Sequence, residues 1–149
     1  MSALVPTQWL TVGVLMMATA TAGISAERSP SVYTPIQLEP GKVVTDHLSN
    51  KDIPTGQGGF ARDYIVQLQA GTQLAIDLTS NSFDTIVSLM ASDGSTVAEN
   101  DDGPDGSTNS LLFTRITKTG TYYIRIRSFG EVSTGSYKLK VTLLAPVKS

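Results

Sequence analysis

Apolar and polar residues alternate with a period of two along much of this 149-residue chain. The alternation is clearest in two segments near its end, residues 121–128 and 136–144. In both, large apolar side chains alternate with polar or basic ones. In the first segment, Tyr122, Ile124 and Ile126 alternate with Tyr123, Arg125 and Arg127. In the second, Tyr137, Leu139, Val141 and Leu143 alternate with Lys138, Lys140 and Thr142. Successive side chains of a strand point to opposite faces, so each segment predicts a strand with one buried and one solvent-facing side.

Short runs of the same kind recur between turn-forming Gly, Asn, Asp and Ser, and no window has the 3.6-residue period of a helix. We predict strands at residues 43–48, 63–69, 73–79, 85–91, 96–99, 111–117, 121–128 and 136–144, with a short edge strand at 36–38. This spacing predicts an all-β fold, an antiparallel sandwich or barrel of about eight or nine strands. The last two strands are expected to form a hairpin, with Ile124 opposite Leu139 and Ile126 opposite Tyr137.

The first 26 residues have a different character. Residues 9–22 are apolar, rich in small side chains and uncharged, and small residues precede Glu27. This pattern is typical of a secretory signal peptide, so we predict cleavage before Glu27 or, as an alternative, before Gly23. A membrane anchor over residues 4–24 is the rival interpretation. With cleavage, residues 27–40 form an extended lead-in, residues 41–149 form one domain, and the protein is exported to the periplasm or the extracellular space without a stable membrane span.

Composition limits the chemistry of the chain. Eleven Lys and Arg against thirteen Asp and Glu give a net charge of −2, which argues against a nucleic-acid partner. Cysteine is absent from the sequence, which excludes disulfides and thiolate chemistry. The single histidine, His47, follows Asp46, but no strained G-x-S-x-G turn marks a nucleophile. We therefore predict no catalytic residues and no enzymatic activity.

An acidic loop at residues 99–106 is the richest polar feature. Asp101, Asp102 and Asp105 lie within it, and no Lys or Arg is nearby in sequence. Clustered oxygen ligands suit Ca²⁺, which accepts irregular geometry, so we predict these residues and Asp84 as candidate calcium ligands. The alternative is a solvated turn, because Asp, Asn, Gly and Pro are also the preferred turn formers.

The polar sides of the last two predicted strands form a candidate binding surface. Its members are Tyr123, Arg125, Arg127, Lys138 and Lys140. Because like charges would then lie opposite one another, we expect an acidic neighbour or a bound anion on this face. Carbohydrate binding is a further possibility, with Tyr33 and Tyr123 as the exposed rings on which a sugar could stack.

Several short motifs occur in a defined order between residues 63 and 141. They are Asp63-Tyr64 at the start of a strand, Gly71 in the next turn, Ser82-Phe83-Asp84-Thr85, Asp93-Gly94, Glu99-Asn100-Asp101-Asp102, Gly120-Thr121-Tyr122-Tyr123 and Gly135-Ser136-Tyr137 with Leu139. Together they resemble the bacterial pre-peptidase C-terminal domain family. This resemblance implies a jelly-roll-like antiparallel β-sandwich of the kind often appended to secreted peptidases, and relatives that bind calcium, polysaccharide or collagen-like surfaces.

The sequence departs from that arrangement because no peptidase accompanies the module. We therefore expect an exported, non-catalytic binding or accessory module that acts on a secreted protein or a surface polysaccharide. The alternative is a hydrolase, or a dedicated chaperone-like subunit of a secreted peptidase.

Overall fold

The computed structural model describes residues 33–130 and 134–145, and all regular elements within them are β-strands. The strands are β1 (Ile36–Gln37), β2 (Val43–Leu48), β3 (Ile53–Pro54), β4 (Phe60–Leu68), β5 (Gln73–Ser80), β6 (Thr85–Ala91), β7 (Thr96–Asn100), β8 (Ser110–Arg115), β9 (Gly120–Ser128) and β10 (Gly135–Leu144). No helix that could cross a membrane occurs among these residues. The predicted signal peptide and residues 27–32 of the proline-rich lead-in lie outside them.

The strands form two sheets. Sheet A has the order β1-β4-β9-β6-β7, with β3 also paired to β4, and sheet B has the order β2-β10-β5-β8. All neighbours are antiparallel except β1 and β4. Without the two-residue strands β1 and β3, this is the eight-stranded order of a jelly roll. The predicted all-β, jelly-roll-like sandwich is confirmed.

The core lies between the inner faces of the two sheets. Tyr64, Ile124 and Ile126 enter it from sheet A, and Leu78 and Leu139 enter it from sheet B. Burial of one such aliphatic side chain stabilises the fold by roughly 1.5–3 kcal/mol. The predicted inner faces of β9 and β10 are confirmed up to Val141, but Leu143 is 50% exposed, in a part of β10 beyond Lys140 where β2 no longer pairs with it.

The predicted hairpin between the last two strands is wrong. β9 lies in sheet A between β4 and β6, and Ile124 pairs with Tyr64 and Leu89. β10 lies in sheet B between β2 and β5, and Leu139 pairs with Val44 and Leu78. The alternation of side chains determines which face of a strand is buried, but it does not determine the neighbouring strand.

The sandwich also includes residues that precede position 41. β1 pairs in parallel with β4, and the N–H of Leu38 donates to the carbonyl of Ile65 at 2.9 Å. Leu38 is 2% exposed and belongs to the core cluster. The short edge strand expected near residues 36–38 is therefore present, whereas β3 was not predicted because two residues show no period.

Candidate functional site

On the outer face of sheet A, Arg125 is held by a buried carboxylate. Its Nε and Nη2 each donate to Asp63 at 2.8 Å, one to each carboxylate oxygen. The hydroxyl of Tyr33 donates to the same carboxylate at 2.6 Å, and Asp63 is 2% exposed. The hydrogen bonds from Arg125 to Asp63 raise the pKa of this arginine. Arg125 is thus part of an internal ion pair.

Arg127, two residues further along β9, also has an acidic neighbour. Its Nη2 lies 3.2 Å from Oε1 of Glu99 on β7, and Ser88 donates to the other oxygen of Glu99 at 2.5 Å. The hydrogen bond from Ser88 and the ion pair with Arg127 lower the pKa of Glu99, although its partial burial acts in the opposite direction. Both arginines of the predicted binding surface are therefore neutralised within sheet A.

The two tyrosines proposed as stacking platforms lie together on this face. The rings of Tyr33 and Tyr123 are 6.4 Å apart and tilted by 48°. Because the hydroxyl of Tyr33 also binds Asp63, this pair fixes the segment before β1 against the sheet.

Lys138 and Lys140 lie on the opposite side of the molecule, on the outer face of sheet B. Lys138 stands between Thr45 and Thr79, and Lys140 between Val43 and Asp77. Both lysines are exposed, and neither forms an ion pair within residues 33–130 and 134–145. The expectation that these lysines share one face with the arginines of β9 is therefore wrong.

The outer face of sheet B combines further positive charge with apolar side chains. Arg115 on β8 is exposed opposite Gln73, so the face carries three cations and one carboxylate, Asp77. Phe113 and Val43 are 62% and 58% exposed on the same face. We call this surface, formed by β2, β10, β5 and β8, the cationic face.

Three of the four predicted calcium ligands lie near one another. Burial and then the charges of Asp102 and Asp101 raise the pKa of Asp84, which places these three carboxylates within electrostatic reach of one another. Asp105 instead accepts hydrogen bonds from the backbone N–H and hydroxyl of Ser107, at 3.1 and 2.7 Å, and these lower its pKa. Within the described ranges, no three His, Cys, Asp or Glu side chains form a ready-made metal cage.

The imidazole of the single histidine is not paired with its acidic neighbour, although the backbone N–H of His47 donates to Asp46 at 2.8 Å. Asp46 points between the sheets, whereas His47 points outward, and Nδ1 of His47 lies 3.4 Å from the hydroxyl of Ser136. This alternation along β2 separates the imidazole from the carboxylate that could orient it. The three side chains therefore do not form the acid–base–nucleophile chain that hydrolysis by a serine requires.

Asp46 belongs instead to a polar network that sequence reasoning missed. Arg62 bridges Asp46 and Asp52 at 2.5 and 2.7 Å, and the hydroxyl of Tyr64 donates to Asp46 at 2.7 Å. The hydroxyls of Tyr64 and Tyr137 are 2.8 Å apart, which links sheet A to sheet B. Burial raises the pKa of Tyr64, and the hydrogen bonds with Tyr137 and Asp46 raise it further. In the sequence, the only indication of this network was a polar residue, Asp46, at an inward-facing position of β2 between Val44 and Leu48.

Two solved structures show the same fold. The pre-peptidase C-terminal domain of a collagenase from Bacillus anthracis superposes with a TM-score of 0.57 at 11% identity, over 73% of this chain and 95% of that one. PliG from Aeromonas hydrophila, a periplasmic inhibitor of g-type lysozyme, superposes with a TM-score of 0.54 at 13% identity, over 74% and 96% of the two chains. No curated protein sequence matches the chain.

The family model for the bacterial pre-peptidase C-terminal domain matches residues 61–128, which cover β4 to β9. The resemblance identified from the sequence motifs is therefore confirmed. The family comprises non-catalytic accessory domains that occur in secreted bacterial proteins. Over residues 61–128 the chain is therefore similar in sequence to the bacterial pre-peptidase C-terminal domain family.

Proposed function

We propose that the protein is an exported, non-catalytic module that binds an anionic surface polymer through its cationic face. The observation that carries the proposal is the contrast between the two sheets. Arg125 and Arg127 are neutralised by carboxylates on sheet A, whereas Lys138 and Lys140 have no such partner in the described part of sheet B. Positive charge that the fold does not use internally is available to a partner.

The geometry of sheet B suits an extended polyanion. Alternate residues of a strand point to the same face about 7 Å apart, so Lys138 and Lys140 form a short row along β10. Arg115 adds a third cation across the face on β8. Such contacts are solvent-exposed, so binding should weaken as salt screens the charges over about 8 Å at physiological ionic strength.

An acidic secreted protein is the second candidate partner. Phe113 and Val43 are exposed on the cationic face, which also carries Arg115, and aromatic residues and arginine are enriched at protein interfaces. One structural neighbour is an inhibitor of lysozyme, so this fold can act on an enzyme. That likeness extends to the fold alone, and for this reason the polymer remains our first candidate.

Affinity electrophoresis of the full chain through gels that contain dextran sulfate or neutral dextran tests the proposal. We expect retardation by dextran sulfate only, and about tenfold weaker retention after Lys138→Gln with Lys140→Gln. The matched control is Lys51→Gln with Lys118→Gln, which makes the same charge change at exposed positions outside the cationic face. Equal loss in both double variants would contradict the assignment to sheet B. Retention by an immobilised acidic protein, with none by dextran sulfate, would replace the polymer by the second candidate.

A further inference from the structure

A cavity of 330 Å³ opens on the cationic face, between the turn after β5 and the start of β10. Its eight lining residues include Thr45, Thr79, Ser80, Asn81, Ser82 and Lys138. None of these residues is acidic. Four other cavities, of 250 to 300 Å³, each contain at least one Asp or Glu in their lining. This cavity therefore stands out in a protein of net negative charge, because its one charged group is a lysine.

The floor of the cavity is fixed by hydrogen bonds. The hydroxyl of Ser80 donates to the carbonyl of Ser136 at 2.9 Å and accepts from the backbone N–H groups of Ser82 and Phe83. Gly135 packs directly against Ser82, where an added Cβ would lie 2.2 Å from the Cβ of Ser82. The cavity is thus formed before any ligand binds, which reduces the ordering cost of binding.

Several polar groups around this floor remain available. In the described structure the side chains of Thr45, Thr79, Asn81 and Ser82 make no hydrogen bond, and Lys138 makes neither a hydrogen bond nor an ion pair. Hydroxyl, amide and ammonium groups all donate hydrogen bonds to oxygen. One ammonium among neutral donors balances one negative charge.

We propose that this cavity is a seat for a single monoanionic oxyanion, a sulfate ester, phosphodiester or carboxylate, carried by the polymer of the proposed function. This inference rests on that function and specifies its central contact. Lys138 supplies the charge, and Thr45, Thr79, Asn81 and Ser82 supply neutral donors to the remaining oxygens. The rest of the cationic face, including Lys140, then contributes only exposed and screened attraction.

Two neighbouring lysines provide the first test. Lys138 and Lys140 lie on the same strand and face and carry the same charge, but only Lys138 lines the cavity. We expect Lys138→Gln to weaken binding of the full chain to dextran sulfate about tenfold, and Lys140→Gln to weaken it less than threefold. Equal losses would overturn the seat while leaving the cationic face as the binding surface. No loss in either variant would overturn both proposals.

A second test leaves the charge of the protein unchanged. Thr79→Val removes a hydroxyl from the cavity, whereas Thr142→Val removes one from the same face outside it. Only the first variant should weaken binding, with both retaining the melting temperature of the wild type within a few degrees. Alginate in place of dextran sulfate distinguishes a carboxylate from a sulfate ester as the preferred group. Equal affinities of the two threonine variants would contradict the seat.

Discussion

At the level of single residues, the outer face of sheet A depends on pairs that are distant in sequence, and the clearest of them joins Arg125 to Asp63 through two hydrogen bonds of 2.8 Å. Alternation along β9 placed Ile124 inside and Arg125 outside, and the structure confirms both positions. The bond between Arg125 and Asp63 joins residues 62 positions apart, so no local pattern could predict it. We expected an acidic neighbour on this face because the lysines of β10 would otherwise repel the arginines of β9. Asp63 and Glu99 do lie beside the arginines, since β4 and β7 belong to sheet A with β9. The lysines do not, because β10 belongs to sheet B.

Asp63 is the residue on which this outer face most depends. Asp63→Asn keeps the shape of the side chain but removes its negative charge. The side chain then no longer forms an ion pair with Arg125 or accepts the hydrogen bond from the hydroxyl of Tyr33 as a charged group. Breaking a buried ion pair from one side costs about 3 kcal/mol, and we expect a loss of that order in urea unfolding. Asp77→Asn on the exposed face of sheet B is the control, with an expected change below about 0.5 kcal/mol. Similar stabilities of the two variants would show that the Asp63 pair contributes little.

At the level of elements, strand positions followed from the sequence and strand pairing did not. Seven of the eight main predicted strands, all except β4 with its earlier start, begin and end within two residues of the observed bounds. The pairing of β9 with β10 failed because, in a jelly roll, strands that follow each other along the chain often cross between sheets. The face of each strand is a local property, whereas its neighbour depends on the whole chain.

The start of β10 illustrates such a long-range constraint. Gly135 has a φ of 150° and lies so close to Ser82 that a Cβ would meet the Cβ of Ser82 at 2.2 Å. Gly135→Ala should therefore destabilise the fold by about 2 kcal/mol or more, through overpacking and backbone strain. Thermal unfolding measures the effect, and adding Ser82→Gly should recover part of it by removing the clash. Gly120→Ala, at a position with open space, is the control, and an equal loss there would contradict the close-contact explanation.

At the level of the whole molecule, charge is distributed unevenly. Free lysines lie on the cationic face, whereas Asp84, Asp101 and Asp102 approach one another near the loop between β7 and β8. The sequence analysis chose Asp101 and Asp102 from a local acidic run and added Asp84 through the family-like motif, and their role as metal ligands stays a prediction. It also included Asp105, whose carboxylate accepts hydrogen bonds from Ser107 in the structure.

Calcium binding at this acidic group remains a prediction. Burial, followed by the charges of Asp102 and Asp101, raises the pKa of Asp84. A cation would relieve the repulsion among the three carboxylates, and Ca²⁺ accepts irregular sets of oxygen ligands. Because the described residues hold no ready-made cage of three acidic ligands, backbone carbonyls and water would have to complete the shell. Weak sites of this kind have dissociation constants of about 10⁻⁴–10⁻³ M. We therefore expect millimolar, but not micromolar, Ca²⁺ to raise the melting temperature of the full chain by a few degrees.

Three comparisons make this calcium prediction specific. Mg²⁺ at the same concentration should stabilise the protein less, because it requires a tighter octahedral shell. Asp101→Asn with Asp102→Asn should abolish the response to Ca²⁺, and without calcium this variant should melt no lower than the wild type because it removes repulsion around Asp84. Asp93→Asn, in the turn between β6 and β7, removes a carboxylate outside the group and should keep the response. If calorimetry detects no binding at millimolar Ca²⁺ and the double variant melts like the wild type in its presence, the acidic loop is a solvated turn.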